Sequence, residues 1–335
     1  MDKYKSIKGV AFMQKRRKKK LRYSRILIVA LLLILIITGI IKIGEKAHKF
    51  MHNQNYDNAI NSDTQNTNTQ MSQNPSTNKL YSPYAILIRL SDDKILFESK
   101  SEVKIYPASL TKIMTAMISI ENISDLQHPI VLPESIFPDL YTANASMAGF
   151  LPGEEVSAID LLYGILLPSG AEASKGLAID VSGSETKFVK LMNEKAVKLG
   201  MKNTHFTNVC GLHDDNHHST AKDISILLKY ALKSETFREI FTTAKHSTAS
   251  TNLHPDGITM HSTMFDDIDA YGFDAGEIIG GKTGYTEEAG LCLASLAKEN
   301  GEEYILVTAG AAGNHQTEQY NIMDALTVYS KCIKQ

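Results

Sequence analysis

The stretch Tyr106–Met117, YPASLTKIMTAM, puts Ser109 and Lys112 three residues apart at the opening of an apolar helix. Positions i and i+3 share one helix face, so the hydroxyl and the amine can meet. A free serine hydroxyl is a poor nucleophile until a base lies within hydrogen-bond reach. Lysine serves as that base only where burial or a neighbouring cation holds it neutral. By itself Ser-x-x-Lys is far more often a capped helix start, so its weight comes from what surrounds it.

Upstream, Tyr84–Leu90 (YAILIRL) and Lys94–Ser99 (KILFES) flank Ser-Asp-Asp and read as a β-hairpin. Downstream, from Ser109 to about Arg238, apolar residues recur with helical period, as in AIDLLYGILL and AKDISILLKYALK. Strand character returns in GEIIGGKTG, GLCLASLAK and EYILVTAGA, and a closing helix is predicted between His315 and Ile333. Strands at both ends with helices between predict a mixed α/β fold in which the terminal strands share one sheet and the middle forms a helical lobe.

Two further elements carry chemistry. Lys282-Thr283-Gly284, after Gly280-Gly281 and before Tyr285, reads as a strand presenting a cation and a hydroxyl, with glycines that let a substrate backbone approach the edge. Ser169-Gly170-Ala171 lies in LLPSGAEAS. It has two readings: Ser169-x-x-Glu172 forms a capping box, or the Ser169 hydroxyl faces a catalytic cleft.

The 335 residues carry 35 Lys+Arg and 37 Asp+Glu, a net charge of −2, with three cysteines and no tryptophan. This composition excludes a wholly disordered chain, a collagen-like repeat and a disulfide-framed mini-domain, and shows no overall basic nucleic-acid binder. The charge is unevenly placed. Residues 1–25 hold eleven Lys/Arg against Asp2, a net of +10, and the remainder nets −12.

Ile26–Ile41, ILIVALLLILIITGII, follows that basic head without a charge. Its length of ~24 Å, extended by Tyr23, Ser24, Lys42 and Ile43, approaches a ~30 Å hydrocarbon core. A cleaved signal peptide and a buried core helix are the alternatives, but no small-x-small cleavage site follows, and a core helix would not carry eleven flanking cations. Residues 26–43 are therefore expected to form an uncleaved transmembrane anchor, with residues 1–25 cytoplasmic and the rest outside the cell. Nineteen of the 26 residues from Asn53 to Asn78 are Asn, Gln, Ser or Thr. Such a segment cannot offset its ordering entropy, so 44–79 reads as a disordered tether and 80–335 as the folded catalytic domain.

Ser-x-x-Lys, a Ser-containing triplet and Lys-Thr-Gly, in that order, are the signature of penicillin-binding proteins and class A β-lactamases. Together with MNEKAVKLGMKNTHFTN, CGLHDDNHHSTAKD and GGKTGYTEEAG, they make residues 80–312 resemble the low-molecular-mass D-alanyl-D-alanine carboxypeptidases, the S11 serine peptidases. The resemblance implies a β-lactamase/transpeptidase-like fold, an antiparallel sheet flanked by helices plus an all-helical lobe. It also implies a cofactor-free, metal-free hydrolase acting on the D-Ala-D-Ala terminus of peptidoglycan stem peptides and acylated by β-lactams. It implies Ser109 as nucleophile, Lys112 as base and Ser169 as proton relay. Lys282 and Thr283 would hold the terminal carboxylate, with Lys282 also keeping Lys112 neutral by repulsion. The amides of Ser109 and Tyr285, the latter next to Gly284, would form the oxyanion hole.

Ala171 departs from the family's Ser-x-Asn, and the missing carboxamide would cost about 1–3 kcal/mol of substrate contact. That departure keeps a non-catalytic or weakly active peptidoglycan-binding protein as an alternative. A β-lactamase is a further one, although no Glu-x-x-x-Asn element is evident. About 25 residues follow the last strand, which leaves no room for the β-rich C-terminal domain of many relatives. His213, Asp214, Asp215, His217 and His218 fit no helical or hairpin metal-ligand spacing. Cys292 reads as a buried thiol, and pairing of Cys210 with Cys332 stays open.

Overall fold

The computed structural model describes residues 80–271 and 278–333. The expected cytoplasmic segment, membrane anchor and tether all lie outside the described residues. Among the described residues, no helix is long and apolar enough to cross a membrane.

The chain enters through β1 (Tyr84–Arg89) and β2 (Ile95–Ser99), and a 3-10 turn at Ala108–Thr111 leads into α1 (Lys112–Asn122). Then follow β3 (Pro129–Val131), α2 (Phe137–Thr142), β4 (Glu155–Ser157), α3 (Ala158–Leu166), α4 (Ala171–Ser182) and α5 (Glu185–Leu199). The middle closes with α6 (Ala221–Ala231), α7 (Glu235–Phe241), β5 (Lys245–Ser247), β6 (Thr259–His261) and α8 (Thr263–Tyr271). Three long strands, β7 (Ile278–Thr286), β8 (Gly290–Glu299) and β9 (Glu302–Ala311), precede α9 (Tyr320–Cys332).

The terminal strands share one antiparallel sheet of order β2-β1-β9-β8-β7, as the pattern predicts. Its two faces are read from consecutive residues, because side chains alternate along a strand. Ile86 joins the core under the helical lobe, whereas Leu87 joins a second core with Ile322, Val328 and Tyr329 of α9. Helices thus cover both faces. On the lobe side α1 is the central helix. Every residue from Lys112 to Ser119 is buried, as expected of a helix packed on all sides.

The lobe is not wholly helical as expected. Two short antiparallel pairs, β3 with β4 and β5 with β6, lie in the middle of the chain. Three-residue strands carry too little periodicity to stand out from loops. On the far face, Asp324 of α9 accepts the N–H groups of Tyr81 (3.0 Å) and Ser82 (2.7 Å), which ties the entering chain to the last helix. All three thiols are free: Cys210 and Cys292 are buried and Cys332 is half-buried. Cys210 and Cys332 therefore do not pair.

Candidate active site

Ser109 and Lys112 meet, but on a tighter helix than a regular α-turn. Ala108–Thr111 is a 3-10 turn, in which residues three apart eclipse one another. Lys112 Nζ donates to Ser109 Oγ (2.9 Å) and to the Cys210 carbonyl (2.6 Å). The lysine is 2% exposed, and burial, the main cause, pulls its pKa down from 10.5 to about 8. Cys210 and Glu172 oppose that fall. An amine poised near neutrality beside a hydroxyl is the arrangement a general base requires.

Two glycines shape the Ser109 turn. Ala108, immediately before Ser109, has a φ of 46°, a conformation that costs a non-glycine residue about 1–2 kcal/mol. A Cβ on Gly211, itself at φ +81°, would lie 1.9 Å from the Ala108 carbonyl oxygen. A Cβ on Gly284 would lie 3.0 Å from the Ser109 nitrogen. The strand β7 therefore passes directly against the turn, and the amide of Ser109 sits beside Gly284, one residue before Tyr285. Gly280 and Gly281 likewise admit Phe241 and Met264, where a Cβ would lie 2.7 Å from the Phe241 carbonyl oxygen and 2.1 Å from the Met264 sulfur. These glycines make room for protein packing rather than for a substrate backbone.

Lys282 is fully buried (0% exposed). Its Nζ donates to the Thr283 carbonyl (2.8 Å). Burial first, then the charge of Lys112, holds its pKa well below the ordinary lysine value. Repulsion between the lysines thus acts mainly on Lys282, whereas burial is the main cause at Lys112. Thr283 Oγ1 lies 2.5 Å from Thr263 Oγ1 on α8, and the Thr263 N–H donates to the Leu167 carbonyl (3.2 Å). That last bond brings the segment before Ser169 against the Lys-Thr-Gly strand.

Ser169 is not a helix cap. Gly170 occupies the N-cap of α4, and no side chain caps it. Ser169 has a φ of 69°, and its buried hydroxyl has no hydrogen-bond partner. Glu172 also leaves the capping box, because its Oε1 accepts the N–H groups of Ala148, Gly149 and Phe150 instead. The capping reading therefore falls, while Ser169 is not among the residues that line the cleft beside Ser109 or the smaller pocket next to it.

Ser109 and Lys112 open onto a cleft of about 500 Å³ that Ala171, Cys210, His213, Tyr285 and His315 also line. A smaller pocket of about 210 Å³ adjoins it and is lined by Thr283, Thr263, Gly284 and Tyr285. At the rim, His213 lies 3.6 Å from both Asp215 and Glu288.

Sequence reasoning missed the supports beneath these groups. Asn208 Oδ1 collects the N–H groups of Cys210 (3.2 Å), Gly211 (2.7 Å) and Leu212 (3.1 Å), which fixes the carbonyl that holds Lys112. His217 Nδ1 accepts the Thr207 N–H (3.0 Å), so its proton lies on Nε2, 2.8 Å from Thr111 Oγ1. Burial pushes its pKa down to about 4, so the ring is a neutral strut under the Ser-x-x-Lys turn. The Asn208–Gly211 spacing was the available signal, since a short amide side chain and a glycine mark a tight turn. Among the described residues, no group of three His, Cys, Asp or Glu is placed to hold a metal ion.

Residues 67–313 match the Peptidase S11 family, described as D-alanyl-D-alanine carboxypeptidase. Over 233 residues the chain is 37% identical to D-alanyl-D-alanine carboxypeptidase DacF of Bacillus subtilis, with 68% of this chain and 57% of that protein aligned. It is 32% identical to D-alanyl-D-alanine carboxypeptidase DacC of Escherichia coli, over 68% of this chain and 56% of that protein. The chain thus spans a little over half the length of these curated relatives. The crystal structure of the Streptomyces K15 DD-transpeptidase superposes with a TM-score of 0.70 at 24% identity, covering 78% of this chain and all of that one. That structure shares the fold, and the sequence match extends through all three motifs: the chain belongs to the Peptidase S11, D-alanyl-D-alanine carboxypeptidase, family.

Proposed function

We propose that this protein is a serine D-Ala-D-Ala carboxypeptidase that removes the terminal D-alanine of peptidoglycan stem peptides. The observation that carries the reading is the 2.9 Å contact between Ser109 Oγ and a buried Lys112 whose pKa lies at about 8. As Ser109 Oγ bonds to the carbonyl carbon between the two D-alanines, its proton passes to Lys112 Nζ. The Ser109 and Tyr285 amides would hold the oxyanion, a large share of such catalysis. The C–N bond then breaks, the amine of the departing D-alanine takes up the proton through Ser169, and water cleaves the ester on Ser109. Thr283, with Thr263 and Lys282 behind it, would hold the substrate's terminal carboxylate. β-Lactams, which present the same acylating carbonyl, would acylate Ser109.

In this reading residues 26–43 anchor the protein in the membrane, residues 1–25 lie in the cytoplasm, and the tether holds the catalytic domain in the wall space. Purified protein incubated with a D-Ala-D-Ala peptide should release free D-alanine, and the Ser109→Ala variant should release none. Equal, background-level release from both would defeat the proposal. Ala171 on the cleft wall favours a second reading, a binding protein without turnover. It predicts that fluorescent penicillin leaves Ser109 unlabelled on peptide mapping. Turnover of a cephalosporin instead of stoichiometric labelling would point to a β-lactamase.

A further inference from the structure

Glu172, one residue beyond Ala171, is fully buried (0% exposed). Its Oε1 accepts three consecutive amides, from Ala148 (2.6 Å), Gly149 (3.0 Å) and Phe150 (3.3 Å). Its Oε2 is equally buried and has no hydrogen-bond partner. A buried carboxylate that is only half satisfied destabilises a fold, so a role in the cleft would account for it. The loop it grips forms a wall of the cleft, because Asn144, Ala145 and Ser146 line it. The Ser146 carbonyl also accepts the Ala171 N–H (2.8 Å), which fastens the same loop to the start of α4 a second time.

The second observation concerns charge. The groups facing Lys112 are Ser109 on its own turn, Cys210 on the adjoining loop, Lys282 on β7 and Glu172 on α4. Lys112, Lys282 and Glu172 are all buried, and the charge of Glu172 opposes the fall of the Lys112 pKa. Three N–H donors on one oxygen favour the ionised form of Glu172, although burial, the larger effect, pushes its pKa upward.

We propose that Glu172 is the positioning residue of this cleft, clamping the 143–150 wall onto α4 and acting as the buried counter-charge of Lys112. Only its kinetic consequence rests on the carboxypeptidase reading. The clamp sets the distance between the cleft wall and Ser109. The charge sets the pH at which Lys112 becomes a free base.

Two variants of the full chain separate these roles. Glu172→Gln keeps an acceptor at the same reach but removes the charge. Glu172→Asp keeps the charge but withdraws it from the amides by one methylene. Lys112 is titrated through its ε-carbon chemical shift, the 148–150 amides are followed by hydrogen exchange, and Ser109 is labelled with fluorescent penicillin. Glu172→Gln should lower the Lys112 midpoint by about half a pH unit or more. Glu172→Asp should leave that midpoint in place, speed exchange of the three amides by about ten-fold or more, and slow labelling comparably.

An unchanged Lys112 midpoint in Glu172→Gln, or unchanged amide protection in Glu172→Asp, overturns the proposal. Should neither variant fold, the Glu172 δ-carbon of the wild type decides. A carboxylate ionised where Lys112 titrates supports the proposal, and one protonated throughout that range overturns it. If the wild type itself resists labelling, the carboxypeptidase reading falls, while the Lys112 midpoint and the exchange rates still decide the role of Glu172.

Discussion

Lys112 ties the chemistry of the cleft to its energetics, and raising the pH tests both. With a pKa of about 8, its free-base fraction rises from about one in eleven at pH 7 to about ten in eleven at pH 9. The rate of Ser109 labelling by a fluorescent penicillin should therefore climb about ten-fold between these values, with its midpoint near 8. A profile that is flat from pH 6 to 9, or one that begins to rise only near 10, would refute the claim that burial prepares this lysine as a base. The same displacement has a cost in stability. From 10.5 down to about 8, at about 1.4 kcal/mol per pH unit, keeping the amine buried destabilises the fold by about 3 kcal/mol at pH 7.

The sign follows from proton counts. Between pH 8 and 10.5 the unfolded chain binds more protons at this site than the native one, so stability rises with pH across that window. Lys112→Met removes the burden but also the hydrogen bond to the Cys210 carbonyl, worth about 1–2 kcal/mol. The variant should thus be about 1–2 kcal/mol more stable than wild type at pH 7 in urea unfolding, while failing to label. Its advantage should shrink as the pH passes from 8 to 10.5. A variant less stable than wild type at pH 7 would sink the reasoning.

Three other outcomes are expected. Gly211→Ala should lower stability by about 3 kcal/mol or more in urea and abolish labelling, because its Cβ would collide with the carbonyl before Ser109. His217, held neutral with a pKa of about 4, should make wild-type stability fall as the pH drops from 6.5 toward 4, since the unfolded chain binds the extra proton there. His217→Gln should flatten that slope in urea midpoints taken across the range. Thr283→Val should raise KM for a D-Ala-D-Ala peptide by about ten-fold through loss of one hydroxyl contact, with little change in melting temperature.

The sequence by itself determined the elements and their chemistry. The hairpin Tyr84–Leu90 with Lys94–Ser99, the helical middle and the three late strands were legible because two-fold and 3.6-fold periodicities are local properties of the chain. The Ser109–Lys112 pair was legible for the same reason, since three residues of helix bring both groups to one face. The supports of that pair were not legible. Asn208, Gly211 and His217 act on a turn roughly a hundred residues earlier in the chain, and no local pattern encodes a contact of that span.

Ser169 and Glu172 show the limit most clearly. Their spacing fits a capping box, yet tertiary packing turns Ser169 into a left-handed conformation and sends Glu172 to three amides more than twenty residues upstream. A cap is worth about 1 kcal/mol, less than three hydrogen bonds to one carboxylate oxygen contribute together. Only the tertiary structure decided which of these needs the carboxylate would serve. Burial decided the rest, because it is the folded environment, and not the residue type, that lowers the pKa of Lys112 to about 8.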